Sequence, residues 1–388
     1  MWPLTTIYVH NILHRSYGEA GLVLLFQSSA GILGQLAGGA LFHRLGAKRL
    51  IVGSLLLTGL ALLCLIVAKS WIPYICAMTV VGFLMSITMP AVNAFIGFRW
   101  REQQVRLFNV VYVANNIGVA LGTSLAGLLA AISFNLTFAL NGLSTILFGG
   151  FFYVFLSRTD IGDADALQVS LSPHSEELST RKLLTQYHLY LFVALGLMMI
   201  WFSTSAWTSS VAPYLNQKGM SLTSYSFLWT INGLIILVGQ PVTTVLNRFI
   251  TKSLNARLIA SGLLYAACFT YMFAFHGSYV YFMIGMVLGT FGEMLINPTV
   301  PALITRTTGS SAPFYLGVVG GFGSLGRLVG PVLFGNIFDV WGLTPILGIT
   351  SITTVLATVL FMINGAQQVR HKRAVNTVIA GASTIDGV

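Results

Sequence analysis

Charge is what this sequence has least of. Only 8% of its 388 residues are Asp, Glu, Lys or Arg, and ten in all are acidic. Soluble domains carry about 25% charged residues, so water cannot be the only solvent for this chain. Cysteine is scarce too. Cys64, Cys76 and Cys268 fall inside apolar runs, at no spacing that fits a metal site or a disulfide framework, and read as small buried hydrophobes. The chain has no phosphate loop, nucleophile–base pair or metal cluster, which argues against an enzyme and against an ATP-driven pump. No metal or cofactor is expected, and any work would draw on a proton or other ion gradient. No basic n-region leads into Met1-Trp2-Pro3, so no cleavable leader is expected.

Hydrocarbon fills the space that charge leaves. Hydrophobic residues make up 55% of the chain and the mean hydropathy is +0.82. Apolar runs of about 20 residues, each long enough to cross a bilayer, follow one another. In lipid every backbone polar group must bond internally, so such runs are helices and the class is an all-α membrane protein. Full spans are predicted at 20–42, 50–68, 72–98, 107–131 and 134–156, then at 187–213, 224–247, 254–275, 278–304, 312–338 and 343–365. A shorter apolar piece, residues 1–13, precedes them. The resulting organisation is a first helix bundle at 1–157, a linker at 158–186, a second bundle at 187–365 and a tail at 366–388. The linker holds Asp160, Asp163, Asp165, Glu176 and Glu177, half of all acidic residues, and reads as solvated.

The net charge of +10 does not mark a nucleic-acid binder, because the basic residues sit in short loops between apolar runs. If the loop after Gly34 faces the cytoplasm, alternation places sixteen Lys and Arg inside and only Arg15, Lys69 and Lys218 outside. That bias orients a multi-pass protein of the plasma membrane with its linker and C-terminus cytoplasmic. The expected surroundings are the lipid bilayer and a small-molecule substrate, with no nucleic acid, and the chain is expected to act as a monomer.

The chain also repeats itself. An offset of 208 lays Gly118, Gly122 and Gly127 on Gly326, Gly330 and Gly335, and Pro90 on Pro298. An offset of 205 lays Gln27 on Asn232 and Gly34-Gln35 on Gly239-Gln240. Two homologous six-helix halves with a substrate site between them near the midplane are a known transporter plan. The partner of the first segment has about 20 apolar residues ahead of Trp207. Trp2 has almost none, so the first helix is expected to be truncated here.

With these features the chain resembles the major facilitator superfamily over essentially its whole length, most closely the branch of twelve-helix drug–proton antiporters. The family's first basic loop reads approximately G-x-L-x-D-R-x-G-x-K. Gly39, Leu41, Arg44, Gly46 and Lys48 stand at its positions, with His43 where Asp is usual. The resemblance makes Gly39, His43, Arg44, Gly46 and Lys48 a conformational-switch loop. The antiporter glycine motif is partly kept in the fifth helix, at Gly118, Gly122 and Gly127. The eleventh keeps it more fully, at Gly326, Gly330 and Pro331 with Gly335 following. These are read as helix-packing glycines. The Arg that the antiporter branch often has in helix four is missing, and Met78 stands there.

Two charged residues stand deep inside the spans. Intramembrane acids usually face cavities or partners, which makes Glu293 the candidate for proton coupling; the alternative is a carboxylate locked to an arginine. Arg327 has three readings: charge partner of Glu293, contact for an anionic substrate, or ligand of helix-end carbonyls. Gln27, Asn93, Asn115, Asn116, Asn232 and Asn297 are polar residues inside spans, each readable as interhelical glue or as cavity lining. Asn93 and Asn297 lean to the cavity because the family's helices four and ten line it. Trp201 and Trp207 could stack on a ligand, Trp207 equally being an interfacial belt residue. The reading that follows is a secondary active transporter working by alternating access, exporting small hydrophobic or amphipathic compounds in exchange for protons. The alternatives are a carrier of a sugar, metabolite or lipid-linked substrate, and a non-transporting receptor or inactive paralogue of the same fold.

Overall fold

The computed structural model describes residues 5, 8–9, 12–15, 17–158, 190–220, 222–249 and 251–385; Trp2 and most of the expected linker lie outside them. In chain order the helices are α1 (Tyr17–Cys64), α2 (Trp71–Arg99), α3 (Gln104–Ile132), α4 (Phe134–Arg158), α5 (Tyr190–Thr204), α6 (Ala212–Gln217), α7 (Leu222–Val238), α8 (Gln240–Phe249), α9 (Leu254–Ala274), α10 (Tyr279–Thr308), α11 (Ala312–Trp341) and α12 (Leu343–Ile385). Among the described residues, seven stretches are long and apolar enough to cross a membrane. Two of them, Glu19–Cys64 and Tyr279–Trp341, hold 46 and 63 residues and are long enough to cross twice. α3 and the α7–α8 pair are further helical stretches long enough to cross.

Apolar periodicity does not reveal how those crossings turn. The basic loop between the first two spans is a single residue: helical geometry persists on both sides of Gly46, whose φ of 75° and ψ of 159° reverse the chain. Only glycine enters that region without a Cβ penalty. The two arms of α1 fold back on the same part of α2. Gly38 lies against Ile87, and Ser54 shares a hydroxyl hydrogen bond of 2.9 Å with Thr88, the next residue.

The span expected at 224–247 divides at Gly239 into α7 and α8. The span at 187–213 carries a π turn, Trp207–Val211, after Ser205. The Ser205 carbonyl accepts from the Thr208 and Ser209 backbones and from both their hydroxyls. α12 runs on to Ile385, through most of what was expected as a tail.

The first half packs α1 on α2 and α4, and the second packs α5 on α11 and α12 and α9 on α10 and α12. Tyr8 stacks on Tyr74 at 4.8 Å between ring centroids and meets Phe138 edge-on, so the first apolar piece joins the core of the first half. The halves meet along α1–α11, α2–α10 and α3–α10. The seam is tightest at the end carrying the basic loop. There a Cβ on Gly39 would strike the Pro313 carbonyl, and one on Gly97 would strike Thr305. Towards mid-span the seam becomes polar. Gln35 Nε2 donates to Ser324 Oγ at 2.5 Å, and Asn109 Nδ2 donates to Gln240 Oε1 at 2.7 Å. Farther along α3, a Cβ on Gly118 or Gly122 would meet nothing within 4 Å, and Leu121 is exposed.

Candidate functional site

Glu293 stands where three helices meet. On α10 it is flanked by Gly289 and Gly292, whose small size lets α9 close behind it: Gly292 sits on the Tyr265 ring, and Ser261 Oγ donates to its carbonyl at 2.8 Å. From α7, Asn232 Nδ2 donates to Glu293 Oε2 at 3.2 Å and to Thr290 Oγ1 at 2.9 Å. Thr290 in turn donates to the Met286 carbonyl, which fixes its lone pairs towards Asn232. From α3, in the other half, the buried Tyr112 hydroxyl faces Glu293, Asn297 and Asn116. Among the described residues it has no partner at hydrogen-bonding geometry. The acid thus lies on the seam, touched from both halves, and is itself only half-buried.

Arg327 approaches from α11. Its guanidinium carbon lies 3.7 Å from the centroid of the Trp201 ring on α5, a cation–π stack. The stack depends on glycines. Gly323, Gly326 and Gly330 share the face of α11 turned to α5, where added side chains would meet Trp201, the Met198 carbonyl and Ser205. Gly317, Gly320 and Gly321 face α1 instead. Arg327 is exposed although it sits within a span. Among the described residues it has no hydrogen-bond acceptor, and none of its nitrogens comes within 4.0 Å of a Glu293 oxygen. The two charges are still near enough to interact electrostatically.

The structure therefore brings together Glu293, Asn232, Asn297 and Asn116, the last two through Tyr112, and sets Arg327 on Trp201. Asn116 also donates to the Tyr112 carbonyl at 2.9 Å. Other sequence candidates lie elsewhere. Gln27 is wedged between α1 and α2 against Gly82, Asn93 is half-buried on α2, and Asn115 is exposed on α3. Trp207 is buried in the core of the second half against Gly285.

In the basic loop, His43 lies at the Ser310 backbone of the α10–α11 turn and beside Phe98, Lys48 sits 4.8 Å above the Tyr153 ring, and Arg44 is exposed. Gly335 has open space around it, and the surroundings of Gly127 lie outside the described residues. Tyr112, Thr290 and the glutamine bridges went unread in the sequence. Tyr112 could have been found from Asn116, four residues on and therefore on the same helix face.

Two halves of apolar helices closed on each other at one end, with a charged and amide-lined layer at mid-span, define a membrane carrier. The chain belongs to the Major Facilitator Superfamily, whose family model matches residues 1–260. It is 34% identical over 344 residues to the MFS-type transporter YttB of Bacillus subtilis (strain 168), covering 88% of this chain and 85% of that one. The quinolone resistance protein NorA of Staphylococcus aureus is 22% identical over 339 residues, or 87% of this chain and 85% of its own. Among solved structures, the transporter FucP in its outward conformation superposes with a TM-score of 0.68 at 15% identity, covering 93% of this chain and 95% of FucP. The chain is accordingly a multi-pass membrane transporter.

Proposed function

We propose that this transporter works by alternating access and exports small amphipathic organic compounds from the cell in exchange for protons. The observation that carries the reading is Glu293 on the seam: its partners Asn232 and Tyr112 belong to opposite halves, so rocking of the halves must remake its surroundings. An ionised carboxylate at membrane depth is costly, and a proton or a cationic group of the substrate relieves that cost. One charge accommodates one of the two at a time, which makes the two movements exchange. The name of NorA, a quinolone resistance protein, supports export.

The Lys and Arg bias supports an orientation with the basic loops, linker and C-terminus inside, and the reading takes the protein to be a monomer of the plasma membrane. On that orientation the tight contacts Gly39–Pro313 and Gly97–Thr305 lie at the cytoplasmic end, which supports reading this state as outward-facing. Catalysis of a chemical step has no part in this reading.

The test is flux. Purified full-length protein in liposomes should move amphipathic compounds against their gradient when an inward proton gradient is imposed, and an uncoupler should abolish the movement. Saturable binding with no such flux would make the chain a receptor instead.

A further inference from the structure

Glu293 and Arg327 are opposite charges in one membrane-embedded site, and they do not pair. In a medium of low dielectric unlike charges gain strongly by closing on each other, and a charge left unpaired is costly. Each is held away from the other by a partner of its own. Glu293 is held by Asn232, which is itself anchored on Thr290. Arg327 is held flat on Trp201, and Gly323 lies beneath that ring. The guanidinium keeps five donors with no acceptor among the described residues. Arg327 is exposed and Glu293 is half-buried, so both stay reachable.

We propose that this held-apart pair is a receptor for a zwitterion: the substrate is a small amphipathic molecule whose cationic amine docks on Glu293 and whose carboxylate docks on Arg327. The proposal rests on the carrier reading above and specifies its substrate. It also fixes the sign of coupling. An amine competes with the proton for Glu293, so a zwitterion or a cation exchanges with protons. An anion without an amine docks on Arg327 only and is helped by a proton on Glu293, so the two travel together. The carboxylate of the zwitterion adds affinity without disturbing the exchange.

The test uses the full chain in liposomes and three aromatic scaffolds: Nε-dansyl-lysine, 2-naphthylalanine and 4-(aminomethyl)benzoate. Each is supplied as the free zwitterion, as its methyl ester and as its N-acetyl derivative. The free form should bind at least about tenfold more tightly than both blocked forms on one scaffold or more, the scale of a lost charged hydrogen bond. Arg327→Gln should erase the advantage over the ester, and Glu293→Gln the advantage over the acetyl derivative. The wild-type comparison stands even if a variant fails to fold.

Lack of zwitterion preference on all three scaffolds, weak or absent binding included, overturns the proposal. So does a preference that both variants keep. Proton-driven flux of the esters with no zwitterion advantage would sink this inference and leave the carrier reading standing. A zwitterion advantage with no flux of any form would do the reverse.

Discussion

Gln35 of α1 donates to Ser324 of α11 at 2.5 Å, tying the first half of the transporter to the second. Its repeat counterpart, Gln240 of α8, accepts from Asn109 of α3 at 2.7 Å and ties the second half to the first. A Gly-Gln pair duplicated across 205 residues therefore makes a cross-half bridge in both copies. The bridges differ in level. On the 208-residue offset Asn109 corresponds to Gly317, and the partner of Gln35 lies two turns beyond that glycine.

Both bridges cross the seam in this state, so removing them should favour the opposite state. Interhelical hydrogen bonds in membranes contribute about 0.6 kcal/mol each. Gln35→Leu with Gln240→Leu should therefore shift the equilibrium several-fold. Distances between spin labels placed on α2 and α10 at the basic-loop end would report it, and an unchanged distribution would leave the bridges without a conformational role.

Close approach at Gly39 and Gly317 makes a stronger prediction. Each faces the backbone of the other's helix, so Gly39→Val or Gly317→Val should stop this end from sealing. Thiol labelling of Cys introduced nearby should rise sharply. Gly335→Ala, where a Cβ meets nothing within 4 Å, should change neither labelling nor transport.

Trp201 carries Arg327, so its loss should be felt by the substrate. A cation–π contact at an exposed site contributes about 0.5–1 kcal/mol. Trp201→Ala should weaken substrate binding about two- to fivefold, with Trp201→Phe intermediate. Tryptophan fluorescence and equilibrium binding on the same preparation would separate loss of the stack from loss of folding.

Asn232→Leu keeps the volume near Glu293 and removes the only side-chain donor at hydrogen-bonding geometry to its carboxylate among the described residues. Turnover at saturating substrate should fall at least about tenfold, in line with loss of a hydrogen bond to a charged group, while protein yield holds. Kinetics of uptake against expression level would decide it.

Much of this was legible before any coordinates. Glu293 and Arg327 stand out because charge inside an apolar run is expensive, and the duplicated Gly-Gln and glycine patterns announce two halves. Tyr112 was legible only as a residue on the helix face of Asn116; that it meets the acid follows from the approach of α3 to α10. The π turn at Trp207 and the break at Gly239 were not legible either: Ser203 to Ser210 is rich in Ser and Thr, and Gln240-Pro241 follows the glycine, but such residues do not say how a helix turns there. The basic loop looked several residues long and is one glycine, because its polar residues keep helical geometry. Arg327 and Trp201 were each visible, but their stack depends on three glycines facing α5, a property of two helices together.

The central claim is that Glu293 carries the proton. The direct measurement compares two modes of transport in liposomes for wild type, Glu293→Gln and Glu293→Asp, using a substrate that the wild type moves. The account predicts that Glu293→Gln loses accumulation driven by a pH gradient but keeps substrate–substrate exchange, while Glu293→Asp keeps part of both. Accumulation by Glu293→Gln at the wild-type level would contradict it.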